Sequence, residues 1–352
     1  LYSGNQVVPS TVSAGTYGAA LAINSASGVG LSNYVVSYTA GTLVVNKALL
    51  TVTAVADAKF VSQTDLQGSA TNCGGTTCTG GYAGAMISGF QNSDSVASGA
   101  LGGAPLAITR TNSAVNTLGV FGGVLLPSGL NPQNYNVQYV AGDYVIVPAQ
   151  QLLVKMDNNT TAYGTAPTYG SVTAAYLKTD GTIISNIPVT VVGSTVSLND
   201  ALGSTAQFTA GATSPVLSSS GQLSIGNYSL GASAYTRTGA NFNSMVVVGG
   251  LNVTPKQLTY ASMNISGVSK VYDGSVAMNN LTLNTPAGIL VGDQIIATAT
   301  GTFANKNVGT SLNYNLGVVL AGVDRANYQV VANSVNNGLY AGSNGVITQL
   351  NS

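Results

Sequence analysis

Asn33-Tyr34-Val35-Val36-Ser37-Tyr38-Thr39-Ala40-Gly41 returns a hundred residues later as Asn134-Tyr135-Asn136-Val137-Gln138-Tyr139-Val140-Ala141-Gly142. A looser copy is Asn241-Phe242 followed by Val246-Val247-Val248-Gly249-Gly250, and a fourth is Asn327-Tyr328-Gln329-Val330-Val331. The aromatic positions 34, 135, 242 and 328 are spaced by 101, 107 and 86 residues. Each copy reads as a strand, and in the first three small residues follow it. A long unit repeated in tandem predicts a string of modules, each closing its own core.

Working outward, each closing phrase runs almost directly into an opening strand. Leu49-Leu50-Thr51-Val52-Thr53-Ala54 follows the first, Leu152-Leu153-Val154-Lys155-Met156 the second and Leu258-Thr259-Tyr260-Ala261 the third. The joints Asn46-Lys47-Ala48, Pro148-Ala149-Gln150 and Pro255-Lys256-Gln257 hold no Gly/Ser linker, so neighbouring modules are expected to be stiffly coupled. This gives four segments: 1–48, a partial C-terminal half of a repeat; 49–150; 151–256; and 257–352. Because the chain opens on Leu1 without a Met, it reads as a piece of something longer. No stretch sustains a 3.6-residue period. The fold class predicted is all-β, a tandem array of small immunoglobulin-like β-sandwich modules, with β-grasp-like modules as the alternative.

Composition narrows the function. The 352 residues include no His, no Trp and no Glu, and charged residues make up 6%, against about 25% in ordinary soluble domains. Formal net charge is zero, so nothing draws the chain to nucleic acid or to an anionic membrane. No apolar run reaches the ~18 residues a membrane span requires, so membrane insertion is not expected. General acid–base catalysis at neutral pH mostly uses His or Glu. Without either, and with ten scattered Asp residues, no catalytic residue and no cofactor is expected.

Cys73 and Cys78 flank Gly74-Gly75-Thr76-Thr77 and read as a short disulfide-closed loop formed in an oxidising compartment. The chain-entropy argument assigns so small a ring ~2 kcal/mol. They lie in an irregular Gly/Ser/Ala-rich stretch, about 65–105, which is an elaborated loop or an insertion. A zinc site would need two further ligands, and no metal is expected. Asn-x-Ser/Thr triplets at Asn158, Asn159, Asn227, Asn252, Asn264 and Asn280 are glycan acceptors in form. An amide cross-link between Lys and Asn needs an acidic helper; with seven Lys and no Glu, the sequence gives little reason to expect one.

In the last segment Lys270-Val271-Tyr272-Asp273-Gly274-Ser275 precedes Gly292-Asp293-Gln294, then Gly301-Thr302-Phe303-Ala304-Asn305-Lys306-Asn307-Val308-Gly309-Thr310, then Ala326-Asn327-Tyr328. This order closely resembles the YDG domain of large bacterial surface proteins. Residues 151–256, with Thr161-Ala162-Tyr163-Gly164-Thr165-Ala166-Pro167-Thr168-Tyr169, Gly226-Asn227-Tyr228 and Asn241-Phe242, resemble the related MBG domain of the YGX type. Residues 49–150 share the opening and closing strands but carry Lys59-Phe60-Val61 where a Tyr-Gly is expected.

The resemblance implies a secreted or cell-surface filamentous adhesin of the filamentous-haemagglutinin-like kind, with a stalk segment as the expected function. The alternatives are a fibre subunit that self-assembles by strand exchange through its partial N-terminal unit, and a carbohydrate- or glycoprotein-binding module. Expected partners are accordingly host or matrix glycans or glycoproteins, or neighbouring copies of the chain. Tyr34, Tyr135, Phe242 and Tyr328 are expected to pack as buried aromatic corners. Tyr163-Gly164 and Tyr272-Asp273-Gly274 are expected to be structural turns, with Asp273 a turn residue rather than a calcium ligand. Tyr163, Tyr169 and Tyr176 are less constrained and leave sugar stacking open.

Overall fold

Valine and threonine alternating with small residues disfavour helix and favour a pleated, half-buried surface. The computed structural model is accordingly built almost wholly of strands. It describes residues 12–21, 30–65, 82–91, 94–103, 105–331 and 338–350, with the backbone of short strands at 2–3, 6–7, 72–73 and 76–79. Two compact units emerge: one takes 49–132 with 136–256, the other 1–48, 133–135 and 257–352. The one α-helix among the described residues is Tyr260–Met263, too short to cover a sheet, so the β-grasp alternative lacks its helix.

Gly15–Leu21 (β1) and Gly41–Val45 (β2) form a two-stranded antiparallel ribbon. The segment 49–150 opens with Ala48–Ala54 (β3) and Asp57–Phe60 (β4). It continues through Ala85–Ser88 (β5), Leu106–Arg110 (β6) and Gly119–Ser128 (β7). Tyr135–Val140 (β8) and Gly142–Val147 (β9) close it. The core positions keep a period of two: Leu50, Val52 and Ala54 are buried on β3, Leu106, Ile108 and Arg110 on β6. β6 pairs antiparallel with β7 and β7 with β9, whereas β4 lies parallel to β9.

The next module repeats the plan: Gln151–Met156 (β10), Asn159–Ala162 (β11), Val172–Leu177 (β12), Thr205–Ala212 (β13), Gly226–Thr238 (β14), Ser244–Val248 (β15) and Gly250–Thr254 (β16). Opening and closing strands again run parallel, and here both cross from one sheet to the other. Leu153 faces Val246 in a four-stranded sheet, and Asn159 faces Leu251 in a six-stranded one. The closing strand crosses at Gly249, where a Cβ would sit 2.7 Å from the Met156 carbonyl oxygen. Gly142 does the same in the previous module, with its Cβ position 2.5 Å from the Ala54 oxygen. The glycine ending the repeated phrase therefore marks the place where the last strand presses on the end of the first.

The last segment begins with Lys256–Thr259 (β17), which pairs with Tyr328–Val331 (β22 below). Thr259 and Ser262 then form a reciprocal capping box on Tyr260–Met263 (α1), which satisfies otherwise orphaned N–H groups. Ser269–Val271 (β18), Ala277–Thr282 (β19), Ile296–Phe303 (β20), Gly309–Ala321 (β21), Tyr328–Val331 (β22) and Tyr340–Thr348 (β23) follow. β18 lies parallel to β23, with Ser269 opposite Val346. A parallel pair between an early and a late strand thus recurs in all three modules: β4 with β9, β10 with β15 and β18 with β23.

Candidate functional site

The first module hides charge under its sheet. Arg110 occupies an inward position on β6 and its side chain is 0% exposed. The guanidinium pairs with Asp65 at 3.1 Å, donates to Asn112 Oδ1 at 2.8 Å and to the Val115 carbonyl at 2.9 Å, and lies 4.0 Å from the centre of the Tyr144 ring. Tyr144 Oη donates to the other Asp65 oxygen at 3.1 Å. Burial, then the Asp65 charge, pushes the Tyr144 phenol far above its usual range and that of Tyr82 up to about 12. Both rings therefore stay neutral and meet edge-on at 5.8 Å.

Lys59 belongs to the same region. It is 3% exposed on β4, donates from Nζ to the Gln63 carbonyl at 2.6 Å, and contacts Asn116 Oδ1. Burial pulls its pKa down; the Asp65 carboxylate opposes that and the Arg110 guanidinium adds to it. Of these residues only Lys59 stood out in the sequence, as a departure from the expected Tyr-Gly. The usable signal was the alternation Leu106-Ile108-Arg110, which carries an arginine into a core position.

A second polar construction joins residues 49–150 to 151–256 within their common compact unit. Ala58, Phe60 and Val147 share one apolar cluster with Leu153, Leu177 and Val248. Beside it Lys155 Nζ pairs with the buried Asp57 carboxylate at 2.7 Å. Further along, Asn252 Nδ2 donates to Asn227 Oδ1 at 2.5 Å and to the Ile87 carbonyl at 3.3 Å. Asn227 Nδ2 reaches Thr53 Oγ1 at 3.0 Å, and Asn158 Nδ2 reaches the Ala83 carbonyl at 2.8 Å. Three of the six glycan-acceptor triplets are thus committed to this seam through their amides.

The expected aromatic corners divide. Tyr135, Phe242 and Tyr328 are buried, and Phe242 meets Tyr176 edge-on at 5.5 Å. Tyr34 is 74% exposed, which corrects the expectation for that copy. Its copy of the phrase forms no strand at 34–40 and lies in the connection between the two strands of the ribbon. The corner hydrogen bond sits elsewhere: Tyr17 Oη donates to the Ser13 carbonyl at 2.7 Å and Tyr228 Oη to the Ser224 carbonyl at 2.8 Å, each four residues back. The matching sequence signal is Gly15-x-Tyr17 and Gly226-x-Tyr228.

Tyr163 is buried with Oη donating to Ser218 Oγ at 2.6 Å, and Gly164 turns the chain at φ +77°. Tyr176 is buried as well, and Tyr169 Oη donates to the Ala210 carbonyl at 3.0 Å. The buried rings of Tyr163 and Tyr176 therefore present no face to a sugar. The side chains of Cys73 and Cys78 lie outside the described residues. The backbone register sets Cys73 opposite Thr76.

In the last segment the separated sequence elements meet. Lys270 Nζ donates to Asp273 Oδ1 at 2.7 Å and to the Ser275 and Ala277 carbonyls. Lys270, then the Ser275 N–H, holds the Asp273 carboxyl below its usual range. Gly274 completes the turn at φ +75°. An ammonium already fills the place a cation would take. Tyr328 Oη donates to Asp293 Oδ2 at 2.5 Å and accepts from the Leu290 N–H at 2.8 Å.

Residues 254–335 match the YDG domain family. No curated protein and no solved structure matches the chain. The match takes in Tyr272-Asp273-Gly274, the Asp293 turn and Tyr328. In the YDG domain these elements are fastened by Lys270–Asp273 at one place and Tyr328–Asp293 at another. Tyr272 itself is exposed, its N–H donating to the Thr348 carbonyl.

Proposed function

We propose that this chain is a non-enzymatic stalk segment of a secreted or surface-attached bacterial filamentous adhesin. The observation that carries this reading is the joint at 148–150. There the closing strand of one module gives way after three residues to the opening strand of the next, and Phe60, Val147, Leu153, Leu177 and Val248 share one cluster across it. Burying large apolar side chains contributes roughly 1.5–3 kcal/mol each, so a hinge at this point would be costly. The Asn227–Asn252 seam adds a second fastening away from the joint. An export route through an oxidising compartment, with Cys73 and Cys78 joined, belongs to the same proposal.

Spin labels on exposed sites of residues 49–150 and 151–256 test it in the full chain. The expected result is one narrow interlabel distance, unchanged by glycerol or temperature. A broad distribution would sink the stiff-stalk reading.

A second reading rests on the N-terminal ribbon, which leaves Tyr34, Val35, Val36 and Tyr38 exposed. Uncovered apolar residues beside a short ribbon invite strand pairing with a second copy. Light scattering across concentrations separates the two: a constant monomer mass argues against assembly.

A further inference from the structure

The buried amine of Lys59 lies against the side-chain amide of Asn116, and we propose that the two close an amide cross-link that locks the first module. The assignment goes beyond the stalk reading and stands or falls independently of it. Three observations point to it. Lys59 is one of the few buried cations of a chain poor in charge, and it sits on β4, at the edge of its sheet beside β9. Its Nζ touches Asn116 Oδ1 across 57 residues of sequence. The amide is held in place from its other side, with Asn116 Nδ2 donating to the Val61 carbonyl at 3.0 Å.

The surroundings suit the chemistry. A nucleophilic amine must be neutral, and burial favours the neutral form of Lys59, with the Arg110 charge acting in the same direction. Asp65 is the carboxylate whose charge reaches Lys59, and Arg110 and Tyr144 fix it from either side. In the step itself Nζ adds to Cγ of Asn116 and forms the new C–N bond. The Cγ–Nδ2 bond then breaks. Ammonia leaves with the two amide hydrogens and one proton given up by the amine. No oxidant, metal or second substrate is consumed. The carboxylate nearest in charge to the pair is Asp65 of the buried cluster, in a chain without Glu.

The product would join position 59 to position 116. The intervening residues, which include the irregular 65–105 stretch, would then hang on a covalently closed frame.

The test is the mass of the full chain after reduction of its cysteines. The expected value is one ammonia, about 17 Da, below the sequence mass. Asn344-Gly345 can also lose ammonia by succinimide formation, so the digest decides. Trypsin should leave Lys59 uncut and yield a branched species joining 48–110 to 111–155. Lys59→Arg and, separately, Asn116→Ala should each restore the missing 17 Da. Linear peptides 48–59 and 60–110 at full mass from the unmodified chain would overturn the proposal, whatever the variants do.

Discussion

The modules at 49–150 and 151–256 run their strands along one path and fill the inside differently. Both pair an early strand with a late one in parallel, and both press a glycine, Gly142 or Gly249, onto the end of the opening strand. Beneath that shared frame the first keeps Lys59, Asp65 and Arg110 with Tyr144. The second packs Tyr176 on Phe242, with Phe208 buried on the strand that pairs with β14, as β6 bearing Arg110 pairs with β7. The frame is fixed by backbone contacts and tolerates either filling. The fillings should then set how each module fails.

The largest effects come from deleting each centre. Arg110→Ala leaves Asp65 without its cation and strips the guanidinium from the Tyr144 ring, for an expected loss of about 3–5 kcal/mol. Phe242→Ala opens a cavity of similar consequence, about 3–5 kcal/mol. Urea titrations followed by tyrosine circular dichroism, useful in a chain without Trp, measure both. The contrast breaks if Arg110→Met is as mild as an ordinary surface change.

The seam comes next. Asn252→Ala leaves Asn227 Oδ1 and the Ile87 carbonyl without their donor, and about 1–3 kcal/mol should go. The same variant should broaden the interlabel distance between the two modules, which a purely local role would not do. Tyr328→Phe removes the donor to Asp293 and should cost the YDG domain about 1–3 kcal/mol. Its counterpart Tyr34→Ala, on an exposed ring, should stay within ±0.5 kcal/mol. That pair sharpens the difference between a copy whose ring is buried and a copy whose ring is exposed.

Acid and base separate the two fillings in a milder way. In the Asn116→Ala chain Lys59 stays a free amine. Its pKa is depressed by burial, so the unfolded chain binds that proton more tightly and the first module should gain stability as pH rises toward 10.5. The second module should respond in acid through Asp200. Burial raises that carboxyl, but the Asn241 amide and the Ser204 and Leu202 N–H groups outweigh it and leave it below 3.8. Its contribution is present above that value and is lost as pH falls through the depressed one. Stability profiles with the two dependences exchanged would overturn the assignment of charge to one core and hydrogen-bonded carboxylate to the other.

Much of the frame was legible in the sequence. The repeated phrase located closing strands in its last three copies but not at 34–40, which form no strand, and alternation in Leu50-Val52-Ala54 identified an inward face. The all-β class followed from composition. Parallel pairing of early and late strands was not legible, because it joins distant residues, such as Asp57 with Tyr144 and Ser269 with Val346, and leaves no local mark. Arg110 was missed because a charge is usually read as solvated, although its alternation with Leu106 and Ile108 pointed inward. Asp65 and Asn116 come from irregular stretches where pattern gives no direction. Asn158, Asn227 and Asn252 carried a pattern with another meaning, and burial alone distinguishes a seam amide from an acceptor of sugar. Tyr34 shows the converse. The same letters as Tyr135 give an exposed ring where the phrase forms no strand.

Parallel early and late strands also decide how tension would act on these modules. Force along the chain enters a module through its early strands and leaves through its late ones. In Gln151–Met156 against Ser244–Val248, and in Ser269–Val271 against Tyr340–Thr348, the two strands are then drawn past each other along their length. The ladder bonds are loaded in shear, all at once, instead of being unzipped one at a time from an end.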